Sequence, residues 1–130
     1  MRYTLAGGGT GGHVYPALSV ATALRRLAPD AELLYLGTPS GAERRLVPEA
    51  GIPFRAVAAG QVRGKSPLRV AVSGSQLGRG VVEASRALAQ FRPAAVFATG
   101  GYASVPVVIA ARLNRLPLVV FLPDVYPGWA

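Results

Sequence analysis

Apolar residues fall along the chain in short runs separated by longer amphipathic stretches. Arg2-Tyr3-Thr4-Leu5-Ala6 has the length of a buried strand, and 32–36, 54–58, 94–98 and 118–122 repeat that signature. Helical spacing governs what lies between. Residues 16–27 place Ala17, Val20, Ala21, Leu24 and Leu27 on one face, with Arg25 and Arg26 off it. Pro16 suits a first turn, and Pro29 ends the element. Ser40 and Glu43 make an S-x-x-E capping box that opens a short helix, closed by Pro48 and Gly51. Ser66-Pro67 reads as the N-cap and first turn of the longest helical stretch, Leu68 to about Gln90. Its inward face is Val70, Leu77, Val81, Ala84 and Leu88, while Gly74, Gly78 and Gly80 weaken it and admit a break. A short apolar helix spans 104–113, with Asn114 as a left-handed cap. Strands alternating with helices predict an α/β fold, a Rossmann-like doubly wound parallel sheet.

Two glycine turns interrupt this alternation. Gly7-Gly8-Gly9-Thr10-Gly11-Gly12-His13 joins the first strand to the first helix, and Gly100-Gly101-Tyr102 follows the fourth strand. A glycine-rich turn leading into a helix presents backbone N–H groups at the positive end of the helix dipole, which suits phosphate. Ligands of such sheets bind at the strand carboxyl ends, so both turns can face one crevice. Gly7-x-Gly9-x-x-Gly12 satisfies the dinucleotide fingerprint, but a nicotinamide cofactor also needs an acid at the end of strand two. That strand ends Leu36-Gly37-Thr38, and Asp30 and Glu32 sit at its start, which disfavours the cofactor. No Lys-Ser/Thr follows the glycines, which excludes a P-loop. His13 is the only histidine. It is a candidate general base, or a hydrogen-bond partner for a sugar or phosphate, against the alternative of a capping or packing role. A helix N-terminus disfavours the imidazolium, which suits a neutral base. Tyr102 is placed to stack on or hydrogen-bond a ligand, or to sit half-buried in the core.

Composition narrows the classes further. The 130 residues suffice for one domain with a real core, and 51% are apolar, which excludes disorder. Without cysteine there is no disulfide or thiolate metal site, and one histidine with no carboxylate cluster offers no metal site either. No cofactor is called for. The net charge of +8 is uneven: residues 1–60 hold six Arg against four acids, whereas 61–130 hold seven Arg and Lys65 against two. The second half therefore suits an anionic partner. Nucleic acid is disfavoured, because no recognised motif is present and aromatics do not interleave with the charges. The 19 uncharged residues from Pro93 to Ala111 are broken by Gly100, Gly101 and Pro106, so they divide into strand, loop and helix rather than a membrane span. The run after Met1-Arg2 is too short for a signal peptide, and the chain stops just past a strand, as if cut inside a longer protein.

Gly8-Gly9-Thr10-Gly11-Gly12-His13, with Pro16 after it, resembles the MurG family of UDP-N-acetylglucosamine transferases. These enzymes act on undecaprenyl-pyrophosphoryl-N-acetylmuramoyl-pentapeptide. Further matches follow in order: Gly37-Thr38 with Glu43, Leu46-Val47-Pro48 and Gly51-Ile52, then Arg63-Gly64-Lys65, then Gly100-Gly101-Tyr102. The resemblance spans nearly the whole chain. It implies the N-terminal, acceptor-binding domain of a GT-B glycosyltransferase, residues 1–130, with the donor-binding domain absent. The implied reaction is inverting transfer of N-acetylglucosamine from UDP-N-acetylglucosamine to the C4 hydroxyl of lipid I, giving the peptidoglycan precursor lipid II. It further implies that the glycine loops cradle the acceptor diphosphate, with Thr10, Gly11 and Gly12 also near the donor, and that His13 is the base or orients the acceptor hydroxyl. Arg63, Lys65, Gly100, Gly101 and Tyr102 join the substrate-binding set.

One stretch departs from the family. Where the family usually reads His-Glu-Gln-Asn, this chain has Phe121-Leu122-Pro123-Asp124, so the substrate-contacting Asn falls on Asp124. A carboxylate there repels a diphosphate but can bind a sugar hydroxyl or act as the base. That leaves a second reading open: a lipid-diphosphate or nucleotide-sugar binding subunit of a split transferase with another acceptor. Leu68, Val72 and Val82, ringed by Arg63, Lys65, Arg69, Arg79 and Arg86, suit peripheral contact with anionic lipid at the cytoplasmic face of the cell membrane. The alternative there is a solvated helix with stray apolar residues.

Overall fold

The computed structural model describes the backbone of residues 1–8, 11–58, 67–100 and 102–121, and the side chains of these except 11–13, 67–73 and 102. Among the described residues, five strands form one parallel sheet: β1 (Arg2–Ala6), β2 (Glu32–Gly37), β3 (Phe54–Ala56), β4 (Ala95–Ala98) and β5 (Leu118–Val120), in the order β3-β2-β1-β4-β5. The helices are α1 (Gly11–Leu27), α2 (Glu43–Glu49), α3 (Pro67–Phe91) and α4 (Val105–Leu113), the last preceded by a 3₁₀ turn at Tyr102–Ser104. This is the doubly wound arrangement that the alternation of apolar runs and amphipathic stretches predicts.

The sheet is covered on both faces, as a parallel sheet must be. On one face Leu5, Leu33 and Tyr35 meet Val14, Ala17 and Ala21 of α1 and Val47 of α2. On the other, Ala6, Leu36, Val96 and Ala98 meet Ala84, Ala87 and Leu88 of α3 and Val107, Ala110 and Ala111 of α4. The change of face falls between β1 and β4. Register there sets Ala6 beside Leu36 on one side and Ala98 on the other. Arg25 of α1 donates to the carbonyls of Ala50 (2.9 Å) and Gly51 (2.6 Å), tying α1 to the end of α2. A cation there complements the negative end of the α2 dipole.

Several boundaries differ from the sequence reading. Helix α1 begins at Gly11, so Pro16 lies inside it rather than in its first turn, and the Gly12 carbonyl receives no helix hydrogen bond from position 16. Helix α3 runs unbroken through its glycines. Gly74 and Gly78 face open space, whereas a Cβ on Gly80 would collide with the Ala58 carbonyl, so Gly80 permits close approach of α3 to the end of β3. Strand β3 stops at Ala56, although Val57 still donates to the Gly37 carbonyl at 2.7 Å. Asn114 is not the left-handed residue. It keeps φ −92° and donates from Nδ2 to the Ala110 carbonyl at 2.7 Å, and Arg115 takes φ +55°. The capping box is also absent: Ala42 occupies the N-cap with no side-chain hydrogen bond, and Glu43 is turned inward. Val119 and Val120 of β5, and Phe121 after it, remain exposed.

Candidate functional site

The first glycine turn leaves β1 at Ala6 and the second leaves β4 at Ala98, two strands that pair directly. Thr99 reinforces the junction, its backbone N–H donating to the Ala6 carbonyl at 3.0 Å. Both turns therefore sit at the carboxyl ends of adjacent strands, at the point where the connections change face. That is where ligands of open α/β sheets bind. Gly7 and Gly8 adopt φ +144° and +145°, and Gly100 adopts +90°, conformations that L side chains rarely take. Three residues after Gly8, α1 begins, so the backbone N–H groups of Gly11, Gly12 and His13 belong to its first turn, where helices leave donors available to a ligand.

A layer of buried polar side chains lies beneath the first turn. The Tyr35 hydroxyl, reaching from β2, donates to the Gly7 carbonyl at 2.7 Å. Burial, reinforced by the Glu43 charge, raises the Tyr35 phenol well above the usual tyrosine range, so it stays a donor. Glu43 is fully buried at the start of α2. Its Oε2 accepts from the Thr38 backbone N–H at 3.2 Å and from the Thr38 hydroxyl at 3.3 Å. The Gly41 N–H donates in turn to the Thr38 hydroxyl at 3.1 Å. A Cβ on Gly8 or on Gly41 would collide with the Glu43 carboxylate, and one on Gly37 would lie 2.5 Å from its Cγ. Three glycines from three segments thus make room for one carboxylate. Phe54 closes the floor, its ring stacked on Tyr35 with centroids 6.2 Å apart.

Of the residues expected from sequence to bind or act, Gly100 lies at the second turn, and Gly11 and Gly12 lie in the first turn of α1. The backbone of His13 is the third residue of α1 and that of Tyr102 opens the 3₁₀ turn; their side chains lie outside the described residues. Thr10, Arg63, Lys65, Gly101 and Asp124 lie outside them as well. On α3, Val82 is half exposed, and Arg79 reaches Glu83 at 3.3 Å; the side chains of Leu68, Arg69 and Val72 are outside the description. No described helix is long and apolar enough to cross a membrane.

Tyr35 is a part of the site that sequence reasoning missed, and Thr38 and Glu43 enter that reasoning only as a family match and, for Glu43, a capping residue, with no place at the site. The signal was present in the run Gly37-Thr38-x-x-Gly41-x-Glu43, in which small residues surround one acid.

Comparison with known proteins identifies the family and the fold. Residues 3–129 match the family described as glycosyltransferase family 28 N-terminal domain. A relative from Symbiobacterium thermophilum, described as UDP-N-acetylglucosamine--N-acetylmuramyl-(pentapeptide) pyrophosphoryl-undecaprenol N-acetylglucosamine transferase, is 48% identical over 98% of this chain and 34% of its own length. One of the same description from Desulforudis audaxviator is 46% identical, with the same coverage of 98% and 34%. Among solved structures, MurG of Acinetobacter baumannii superposes with a TM-score of 0.77 at 31% identity, covering 92% of this chain and 34% of that one. The glycosyltransferase SsfS6 of Streptomyces sp. SF2575 shares the fold, with a TM-score of 0.66 at 21% identity, covering 92% of this chain and 38% of that one. The chain spans about a third of the length of the curated relatives it matches.

Proposed function

The chain belongs to the glycosyltransferase family 28 N-terminal domain family, and from that premise we propose that it is the acceptor-binding domain of an N-acetylglucosamine transferase. The reaction is transfer from UDP-N-acetylglucosamine to the C4 hydroxyl of lipid I, forming lipid II. The observation that carries this reading is the pairing of β1 with β4, which brings Gly7-Gly8 and Gly100 to the same end of the sheet at the change of face. Relatives alike over almost the entire chain are described as transferases of this donor and acceptor.

In this mechanism the acceptor O4 attacks the anomeric carbon of the donor sugar from the face opposite UDP. The bond from that carbon to the diphosphate oxygen breaks, and UDP leaves with the electron pair. His13, at the start of α1, takes the proton from O4. The N–H groups at the α1 N-terminus and the second glycine turn hold the acceptor diphosphate. Thr10, Arg63, Lys65, Gly101, Tyr102 and Asp124 complete the substrate contacts. A second domain, not part of this chain, supplies most of the donor site. Exposed Val82, with Arg79 and Arg86 on the same helix, supports docking on anionic lipid at the cytoplasmic membrane face, where a lipid-linked acceptor resides.

The test is steady-state transfer by the full-length protein from UDP-N-acetylglucosamine to a soluble lipid I analogue. Transfer is expected, with His13→Ala lowering kcat by about 10²–10⁴-fold and residues 1–130 alone inactive. Turnover by 1–130 alone would sink the two-domain division. Full-length protein that ignores lipid I but glycosylates another lipid or glycoside would move the proposal to a different acceptor, the reading that Asp124 favours.

A further inference from the structure

Glu43 is a fully buried acid that the mechanism above does not use. It does not cap α2, whose N-cap has no side-chain hydrogen bond. An apolar side chain of similar size would fill the same space without the desolvation penalty of a carboxylate. The chain instead surrounds the acid with glycines at 8, 37 and 41 and gives it two donors from Thr38. One wall of that niche is Gly8, part of the turn that leads into α1 three residues later.

We propose that Glu43 is a positioning residue of the transfer site. Its carboxylate, lodged among Gly8, Gly37 and Gly41 and held by Thr38, fixes the first glycine turn and so the start of α1 that carries His13. Tyr35 holds the same turn from the side through the Gly7 carbonyl. Glu43 is buried and does not touch substrate; it acts through the backbone above it. This deepens the transferase reading and rests on it.

The test uses the full-length enzyme, with KM for the lipid I analogue and for UDP-N-acetylglucosamine measured separately and thermal unfolding recorded in parallel. Glu43→Gln keeps the shape and removes the charge. It is expected to raise the acceptor KM about tenfold and leave the donor KM within about threefold. Thr38→Val is expected to raise the acceptor KM about threefold, with Thr38→Ser restoring it. The Thr38 pair carries the test if Glu43→Gln does not fold. Unchanged KM values for both substrates, with activity falling only in step with the folded fraction, would overturn the proposal. A wild-type enzyme that does not use lipid I would overturn the transferase reading, and this proposal with it; an active wild type with unaffected variants overturns this proposal alone.

Discussion

The two glycine turns leave adjacent strands at the same edge of the sheet, yet different means hold them. The first is bonded by a side chain from elsewhere in the chain, Tyr35 of β2, and packs at Gly8 against the buried Glu43 of α2. The second is tied by its own neighbour, Thr99, whose backbone N–H and hydroxyl both donate to the Ala6 carbonyl, at 3.0 and 3.4 Å. A turn held by distant side chains can be moved by changing residues that no ligand meets. A turn anchored mainly by a backbone bond to the neighbouring strand offers fewer such side chains to change. Among the described residues, the first turn is therefore the one with more remote side chains to change.

The largest effect is expected at Gly8. A Cβ there meets the buried Glu43 carboxylate and requires φ +145° of a residue that resists it. Gly8→Ala should lose about 4 kcal/mol or more in urea unfolding, and near-native stability would break the contrast. Next comes Glu43→Ala, which leaves the Thr38 N–H buried without that acceptor and should lose about 2–3 kcal/mol. Gly100→Ala, for its strain at φ +90°, should lose about 1–2 kcal/mol. If it matched Gly8→Ala, the second turn would also be built around a side chain.

The smallest change is at Tyr35, and pH sharpens it. The folded protein holds the phenol above its ordinary range, so the unfolded chain loses that proton first. Stability from this group is complete below about pH 10 and declines as pH rises past it, by about 1.4 kcal/mol per pH unit. Tyr35→Phe should lose about 1 kcal/mol at neutral pH and flatten the alkaline slope. An equally steep alkaline loss in the variant would assign the slope to other groups.

The strands and their order of alternation with helices were legible because the apolar runs of β1, β2 and β4 are short, dense and bounded by glycine or proline. The start of α1 was not, because Gly11 and Gly12 have poor helix propensity and only the turn before them dictates their conformation. The glycines of α3 also misled: propensity argues for a break, but Gly80 is required by the Ala58 carbonyl, a contact made across the chain. Glu43 shows the limit most clearly. Its spacing from Ser40 satisfies a local capping rule, while its role depends on Gly8, which lies 35 positions earlier in the sequence. Both glycine turns could be placed at one crevice from pattern alone, but the acid beneath the first could not.

The most direct test of that niche is a double-mutant cycle between Gly37→Ala and Glu43→Ala, followed by urea unfolding. Gly37 has ordinary backbone angles, so its Cβ is opposed mainly by Glu43 Cγ at 2.5 Å, with Phe54 Cε2 at 3.1 Å. If the glycines exist to house the carboxylate, Gly37→Ala should be at least about 1 kcal/mol less harmful once Glu43 is truncated. Losses that add to within about 0.5 kcal/mol would contradict the account, because Gly37 would then be indifferent to the side chain it is said to enclose.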